Sequence, residues 1–292
     1  MFGDALHCIL FESGGKQLKA IDIHNHFISC ADWINPECTV DKIILGDPNK
    51  EIHRVLVTWI SSFHAIRTAV EQHFDMIITH EPTFWNHNNE QEEMDKGELG
   101  LAKKKYILES GLVILRCHDV WDKMPEIGIP WAWARFLGLG KTPKAIDRSE
   151  TQHRYDIGPV TLDVLAGMIA EKTAILGEPF IQVIGNSHQI VSKVGIGTGC
   201  GCDIATFQKM GCDVSIVCDD GSCYWSNISR ATDGNHPVLR VNHGTSEEPG
   251  MVTLTEYVNT HFSEVNAVHI PHGSCFRLIS ARQSGTTKQH QQ

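Results

Sequence analysis

Met76, Ile77 and Ile78 form a short apolar run that begins after Asp75 and is halted four residues on by Pro82. A run of this length between polar residues reads as a buried strand, and Pro82, which has no backbone donor, stops it. Similar runs recur at 43–45, 54–58, 112–115, 193–196, 214–217 and 238–241, and several are separated by segments with helical spacing. Ser61 or Ser62 caps a helix reaching about residue 73, with Ile66, Ala69 and Val70 on its apolar side. A second helix covers 99–110 and stops at Gly111, and a short Trp-rich helix covers 129–139. Strands alternating with helices specify an α/β fold. In open sheets of that class ligands gather beyond the carboxyl ends of the strands, so the residues at each stop are the first functional candidates.

Three stops carry metal-binding side chains. The 76–78 run leads into His80 and Glu81, and the 112–115 run leads into Arg116-Cys117-His118-Asp119-Val120-Trp121-Asp122. The 238–241 run leads into His243-Gly244-Thr245-Ser246-Glu247-Glu248-Pro249. There Ser246 is expected to cap a helix that Pro249 helps begin, and Glu247, four residues after His243, folds back toward it. One His at a strand end is ordinarily solvated; His80, Glu81, Asp122, His243 and Glu247, with His118 nearby, make a cluster of the kind metals require.

The second half repeats part of the first. Residues 193–197, 203–209 and 213–217 run strand, turn, helix, strand, parallel to the block from 54 to 78, and Asp75 and Asp213 introduce the second strand of each. The expected division is a first α/β domain over 1–145 with an N-terminal extension, and a second α/β segment over 146–292 that completes an interleaved first domain. The Gly197-Thr198-Gly199-Cys200-Gly201 turn lacks the spacing of a dinucleotide or phosphate loop and reads as tight strand-to-helix packing.

Composition excludes several classes. A chain of 292 residues, 41% hydrophobic, builds true cores. Its formal charge of -10 and pI near 5.9 argue against nucleic acid, whose binding needs clustered Lys and Arg. No apolar run approaches the roughly 20 residues that span a bilayer, and the first thirty residues do not read as an export signal, so a cytoplasmic protein with no membrane partner is expected. Ten Cys without a CxxC pair read as reduced thiols, and the spacing of Cys200, Cys202, Cys212, Cys218 and Cys223 fits no zinc ribbon. Trp131 and Trp133 read as packing or subunit contacts. Residues 5–11 read as a strand or helix, 86–96 as a mobile polar loop and 286–292 as disordered. Asp22-Ile23-His24-Asn25-His26 resembles the first strand of a metal-dependent amidohydrolase barrel, but the chain lacks the eight regular strand-helix units that a barrel needs.

The strand-end motifs resemble those of the Nif-three-like family of dinuclear-metal proteins, whose members are often labelled GTP cyclohydrolase one type two homologues. The resemblance runs from about Asp41 to His272, through Gly46-Asp47-Pro48, DMIITHEP, CHDVWD, GTGCG and HGTSEEPG. It implies two pseudo-repeated α/β domains with a metal site between them, and metal ligands at His80, Glu81, Asp122, His243 and Glu247. His118 is implied beside the metals or in their surroundings, and a ring of six subunits is implied as well. Glu81 stands where the family has a second His, Asp119 where it has Thr, and Val217-Cys218-Asp219-Asp220 lacks the family's His pair. These departures mark a divergent member.

The implied chemistry is hydrolytic. Two divalent ions (Fe, Mn or Zn) against three carboxylates leave a site charge of about +1, and an anionic oxygen at Glu81 favours harder ions. Two metals about 3.5–4 Å apart turn a shared water into a hydroxide nucleophile near neutral pH. Cleavage of an amide or heterocyclic C–N bond in a small-molecule substrate is the expected reaction, with Glu81 and His118 as catalytic residues. His24, His26 and His87 are further acid-base candidates. The alternative is a non-enzymatic metal-binding, chaperone-like or regulatory protein.

Overall fold

A computed structural model describes residues 17–279; the segments 5–11 and 286–292 lie outside the described residues. The chain opens with α1 (Ala20–Ser29), β1 (Ile43–Leu45), β2 (Arg54–Ile60), α2 (Phe63–Glu71) and β3 (Met76–Glu81). It continues through α3 (Glu90–Met94), α4 (Gly97–Ser110), β4 (Val113–Arg116), α5 (Asp119–Lys123) and α6 (Ile129–Leu137). The next block comprises β5 (Ala145–Ile146), β6 (His153–Thr161), α7 (Leu162–Ile175), β7 (Gln182–Ile184), β8 (Ile190–Ile196), α8 (Ile204–Lys209) and β9 (Val214–Cys218). It closes with α9 (Ser229–Asp233), β10 (Val238–Val241), α10 (His243–His261) and β11 (Asn266–His269).

Two sheets organise these elements. The first has the order β1-β4-β3-β2-β11, parallel except for β1, and the second the order β5-β6-β8-β9-β10-β7, parallel across β8-β9-β10. The last strand therefore lies in the first sheet, beside β2. Strand alternation explains why the first sheet is covered on both faces: Val55, Val57, Met76, Ile78, Val113 and Leu115 join one cluster with α10, whereas Leu56, Ile77 and Ile114 join another with α2. His80 keeps the parity of Met76 and Ile78.

The β2-α2-β3 and β8-α8-β9 units match in topology and in a local device. The Asp75 carboxylate accepts from the amides of His53 and Arg54, and Asp213 accepts from those of Ser192 and Lys193. In each case an acid at the start of the second strand ties down the first. Ser62 caps α2 by accepting from the Ala65 amide, and Gly111 and Gly138, both left-handed, end α4 and α6 as expected.

α10 is the element that joins the halves. It packs on β2, β11 and α6, and its Gly250 passes so close to α6 that a Cβ there would lie 2.4 Å from Ile129 Cδ1. Trp121, fully buried, donates from Nε1 to the Gly250 carbonyl at 2.8 Å. The helix starts at His243 with Asn242 at its cap, so neither Ser246 nor Pro249 begins it. Ser246 instead donates its hydroxyl to the His243 carbonyl, and Pro249 lies inside the helix, where it removes one backbone donor.

Other expectations are corrected. His24 and His26 lie in helix α1 rather than on a strand; His26 is buried against Phe262 and Tyr257, and burial together with the His261 charge lowers its pKa to about 4. Residues 86–96 are not a structureless loop: α3 lies within them, with Glu90 and Met94 buried. Eight cysteines among the described residues are free, but Cys30 is disulfide-bonded. Trp133 is fully buried, and Trp131 meets the ring of His153 edge-on at 4.3 Å. No helix among the described residues is long and apolar enough to cross a membrane.

Candidate metal centre

His80, Glu81, His118, Asp122, His243 and Glu247 meet at one point between the two sheets. β3 delivers His80 and Glu81, α5 and the residue before it deliver Asp122 and His118, and the first turns of α10 deliver His243 and Glu247. His80 Nε2 lies 3.4 Å from Asp122 Oδ1 and 3.4 Å from Glu247 Oε2. His243 Nε2 lies 2.9 Å from Glu247 Oε2 and 3.3 Å from Glu81 Oε1. The His118 ring stacks on that of His80 with centroids 4.5 Å apart, and its Nε2 is 3.8 Å from Glu81 Oε1. Two overlapping groups, His80 with His118 and Asp122, and His80 with Glu81 and Glu247, keep their donor atoms within 4.8 Å.

Hydrogen bonds decide which nitrogen of each ring is available. His80 Nδ1 lies 3.1 Å from the Cys117 carbonyl, which only accepts, so Nδ1 donates to it and Nε2 is the nitrogen left to face the centre. That Nε2 is buried and makes no hydrogen bond to any described residue. A buried ring nitrogen facing two carboxylates calls for positive charge at that point, supplied by a proton or by a metal cation. His243 Nδ1 lies 2.8 Å from Asp220 Oδ2, which turns its Nε2 inward; His118 Nδ1 lies 3.0 Å from Asp119 Oδ1 and 3.3 Å from Asp122 Oδ2, and its Nε2 faces Glu81. The donor set therefore fits divalent ions.

Electrostatics point the same way. Burial alone would lower the His118 pKa, but the Asp122, Asp119 and Glu81 carboxylates outweigh it and raise it to about 9. His80 and His243 are likewise raised by carboxylates against burial, the former by Glu247 and Asp122 and the latter by Glu247, Asp220 and Glu81. Burial would raise Glu81, but its bond to His243 and the charges of His80 and His118 hold it well below the ordinary range; Asp122 is lowered against burial by His118 and His80. With only protein groups present, imidazolium protons occupy places where cations belong.

Several contributors escaped sequence reasoning. Gly199, at φ +51, sits where a Cβ would come 2.6 Å from His243 Nε2 and 2.8 Å from Glu247 Oε1, so the Gly-rich turn is a wall of the centre and not only packing. Trp59, at the end of β2, donates from Nε1 to Glu247 Oε2 at 2.8 Å. The buried Asp41 carboxylate accepts from the amides of His118 and Val120 and so shapes the start of α5. Arg116, fully buried, donates to the His80 carbonyl at 3.1 Å and lies 3.8 Å from Glu81 Oε2. The glycine spacing was visible; nothing local marks Trp59 or Arg116. A cavity of about 260 Å³ adjoins the centre, lined by Trp33, Thr39, Asp119, Asp122 and Lys123 among others. His24, His26 and His243 take no part in the groups of donor atoms, though His243 Nε2 pairs with Glu247 and Glu81, and His87 forms a further group with Glu81 and His118.

Comparison with known proteins agrees with this architecture. The chain is 22% identical over 222 residues, 74% of its length and 81% of the relative's, to a GTP cyclohydrolase 1 type 2 homolog of Clostridium perfringens. Its fold matches a hypothetical protein of Staphylococcus aureus with TM-score 0.71 at 18% identity, covering 90% of this chain and 100% of that one. A Bacillus cereus protein related to NIF3 matches with TM-score 0.67 at 13% identity, covering 91% and 99%. Residues 30–273 match the family described as Duf34/NIF3 (NGG1p interacting factor 3), and with most of its length inside that match the chain belongs to the DUF34/NIF3 family.

Proposed function

We propose that the protein is a metal-dependent hydrolase that cleaves an amide or heterocyclic C–N bond of a small molecule. The observation that carries this reading is His80 Nε2, fully buried, set between Asp122 and Glu247 while Nδ1 is committed to the Cys117 carbonyl. His80, Glu81, Asp122, His243 and Glu247 would hold two divalent ions, Fe, Mn or Zn. When bound, such ions supply Lewis acidity and water of near-neutral pKa.

The chain's own groups serve the rest of the reaction. In hydrolysis the water oxygen bonds to carbon, the C–N bond breaks and the nitrogen leaves with a proton. His118 Nδ1 is steadied by Asp119, so its Nε2 is the atom that would take a proton from the attacking water and pass it to the leaving nitrogen. Trp33 offers a flat apolar wall and Lys123 a cation in the adjoining cavity, whose size suits one small ring. The printed name of the Clostridium perfringens relative, a cyclohydrolase homolog, favours a ring substrate.

Elemental analysis of protein purified without added metal, followed by assays over lactams, pyrimidine-like rings and cyclic amides, tests the reading. Asp122→Ala should abolish turnover and leave the assembly, proposed as a ring of six subunits, intact. Protein that contains well under one ion per chain and takes up none on addition overturns the proposal, and a monomer by solution mass overturns the ring.

A further inference from the structure

A third group of donor atoms, from Glu81, His87 and His118, also falls within 4.8 Å, and by proximity alone His87 would count as one more ligand. Its hydrogen bonds say otherwise. Arg116 Nη2 lies 2.9 Å from His87 Nδ1, and Arg116 Nη1 donates to the His87 carbonyl at 2.7 Å. A guanidinium only donates, so His87 Nδ1 accepts and has no proton. The neutral ring then carries its proton on Nε2. This is the reverse of His80, His118 and His243, whose Nδ1 atoms face oxygen acceptors, so that loss of a proton leaves the lone pair on Nε2. With one nitrogen occupied by Arg116 and the other protonated, His87 has no lone pair to give a cation.

Arg116 is well placed to impose this. It is 1% exposed, reaches the His80 carbonyl, and is neutralised by Glu90 at 3.5 Å and Glu81 at 3.8 Å. Glu90 also accepts from the Phe84 amide at 3.0 Å, so residues 81–90 fold around the guanidinium and return His87 to the edge of the centre. There the His87 ring is exposed and meets the His118 ring edge-on at 4.7 Å.

We propose that His87 is not a metal ligand but a neutral Nε2–H donor, held in that tautomer by Arg116, that hydrogen-bonds an oxygen of the substrate at the rim of the metal centre. Neutral imidazole donors suit a carbonyl that gains negative charge, because they stabilise it without giving up the proton. The tautomer stands on geometry alone, whereas the oxygen contact rests on the hydrolase reading. His87 is the proposed binding group and Arg116 its positioning residue.

Long-range ¹H–¹⁵N spectra of the full chain labelled at histidine test it without any turnover assay. The expected result is a single Nε2–H tautomer for His87, unchanged on saturation with zinc, while the His80 Nε2 resonance moves to a metal-bound position. A zinc-induced shift of either His87 nitrogen, or a mixture of tautomers, overturns the assignment. His87→Gln should leave zinc affinity within about threefold, whereas His80→Gln should lower it by more than about tenfold; equal losses overturn the proposal. Arg116→Lys, if folded, should release the tautomer preference, and its retention removes Arg116 from the account. Acetate added to the zinc-loaded protein serves as an oxygen probe: perturbation of the His87 Nε2–H signal is expected, and none at saturation overturns the substrate contact while leaving the hydrolase reading to its own assays.

Discussion

β3 and β9 occupy equivalent places in the two α/β units, yet they end in different chemistry. β3 ends in His80 and Glu81, which meet the other donors directly. β9 ends in Cys218, followed by Asp219 and Asp220, and these touch the centre only through His243: Asp219 accepts from its amide at 2.6 Å and Asp220 from its ring at 2.8 Å. A repeated scaffold has thus been divided into a side that supplies donors and a side that orients them. The difference follows from distance, because α10 starts directly after β10, beside β9, and brings its own His and Glu to the centre; acids at the end of β9 are left to steady that helix start.

Four experiments break or sharpen this contrast. Replacing a donor on the β3 side should have the largest effect: His80→Ala is expected to weaken zinc or manganese affinity by more than about 100-fold, since outer partners alone are worth about 10–100-fold. Isothermal titration would show it, and a loss below tenfold would remove His80 from the donor set. Next is pH. His118 is raised to about 9 in the metal-free centre, so near pH 7 its ring holds a proton that cation binding expels. Affinity should therefore rise with pH toward 9 and weaken by about tenfold per unit below it for each proton released. Titration in buffers of different ionisation enthalpy counts the protons, and a pH-independent affinity contradicts the account.

The β9 side should respond more mildly. Asp220→Asn keeps the size of the side chain but loosens the His243 ring, and about a tenfold loss of metal affinity is expected; a loss as large as that of His80→Ala would erase the distinction between donors and orienting groups. Smallest is the shared scaffold itself. Asp75→Asn and Asp213→Asn each remove a charged acceptor from a pair of strand amides and should each cost about 1–3 kcal/mol of stability in urea unfolding. Losses confined to one of them would show that the two units are not built alike.

Much of the frame was legible residue by residue. Pro82 halts β3, Ser62 caps α2, and Gly111 and Gly138 end α4 and α6 because these residues act through their own backbone or a neighbour's. The candidate donors were legible because metals demand His and carboxylates, and such residues at three strand ends stand out. The errors were of one kind. Residues 86–96 look like a polar loop until a buried guanidinium from β4 gives Glu90 a partner. Asp22 to His26 look like a strand end until α1 packs His26 against α10. Gly199 looks like packing until His243, distant in sequence, arrives beside it.

Local chemistry, then, determined which segments become strands and helices and which residue types stand at their ends, because caps, prolines and apolar periodicity act within a few positions. Tertiary structure alone decided which of those ends converge and which ring nitrogen each histidine presents. A tautomer is set by the atom on the other side of the ring: Cys117 and Asp220 are acceptors and free an inward lone pair, whereas Arg116 is a donor and takes one away.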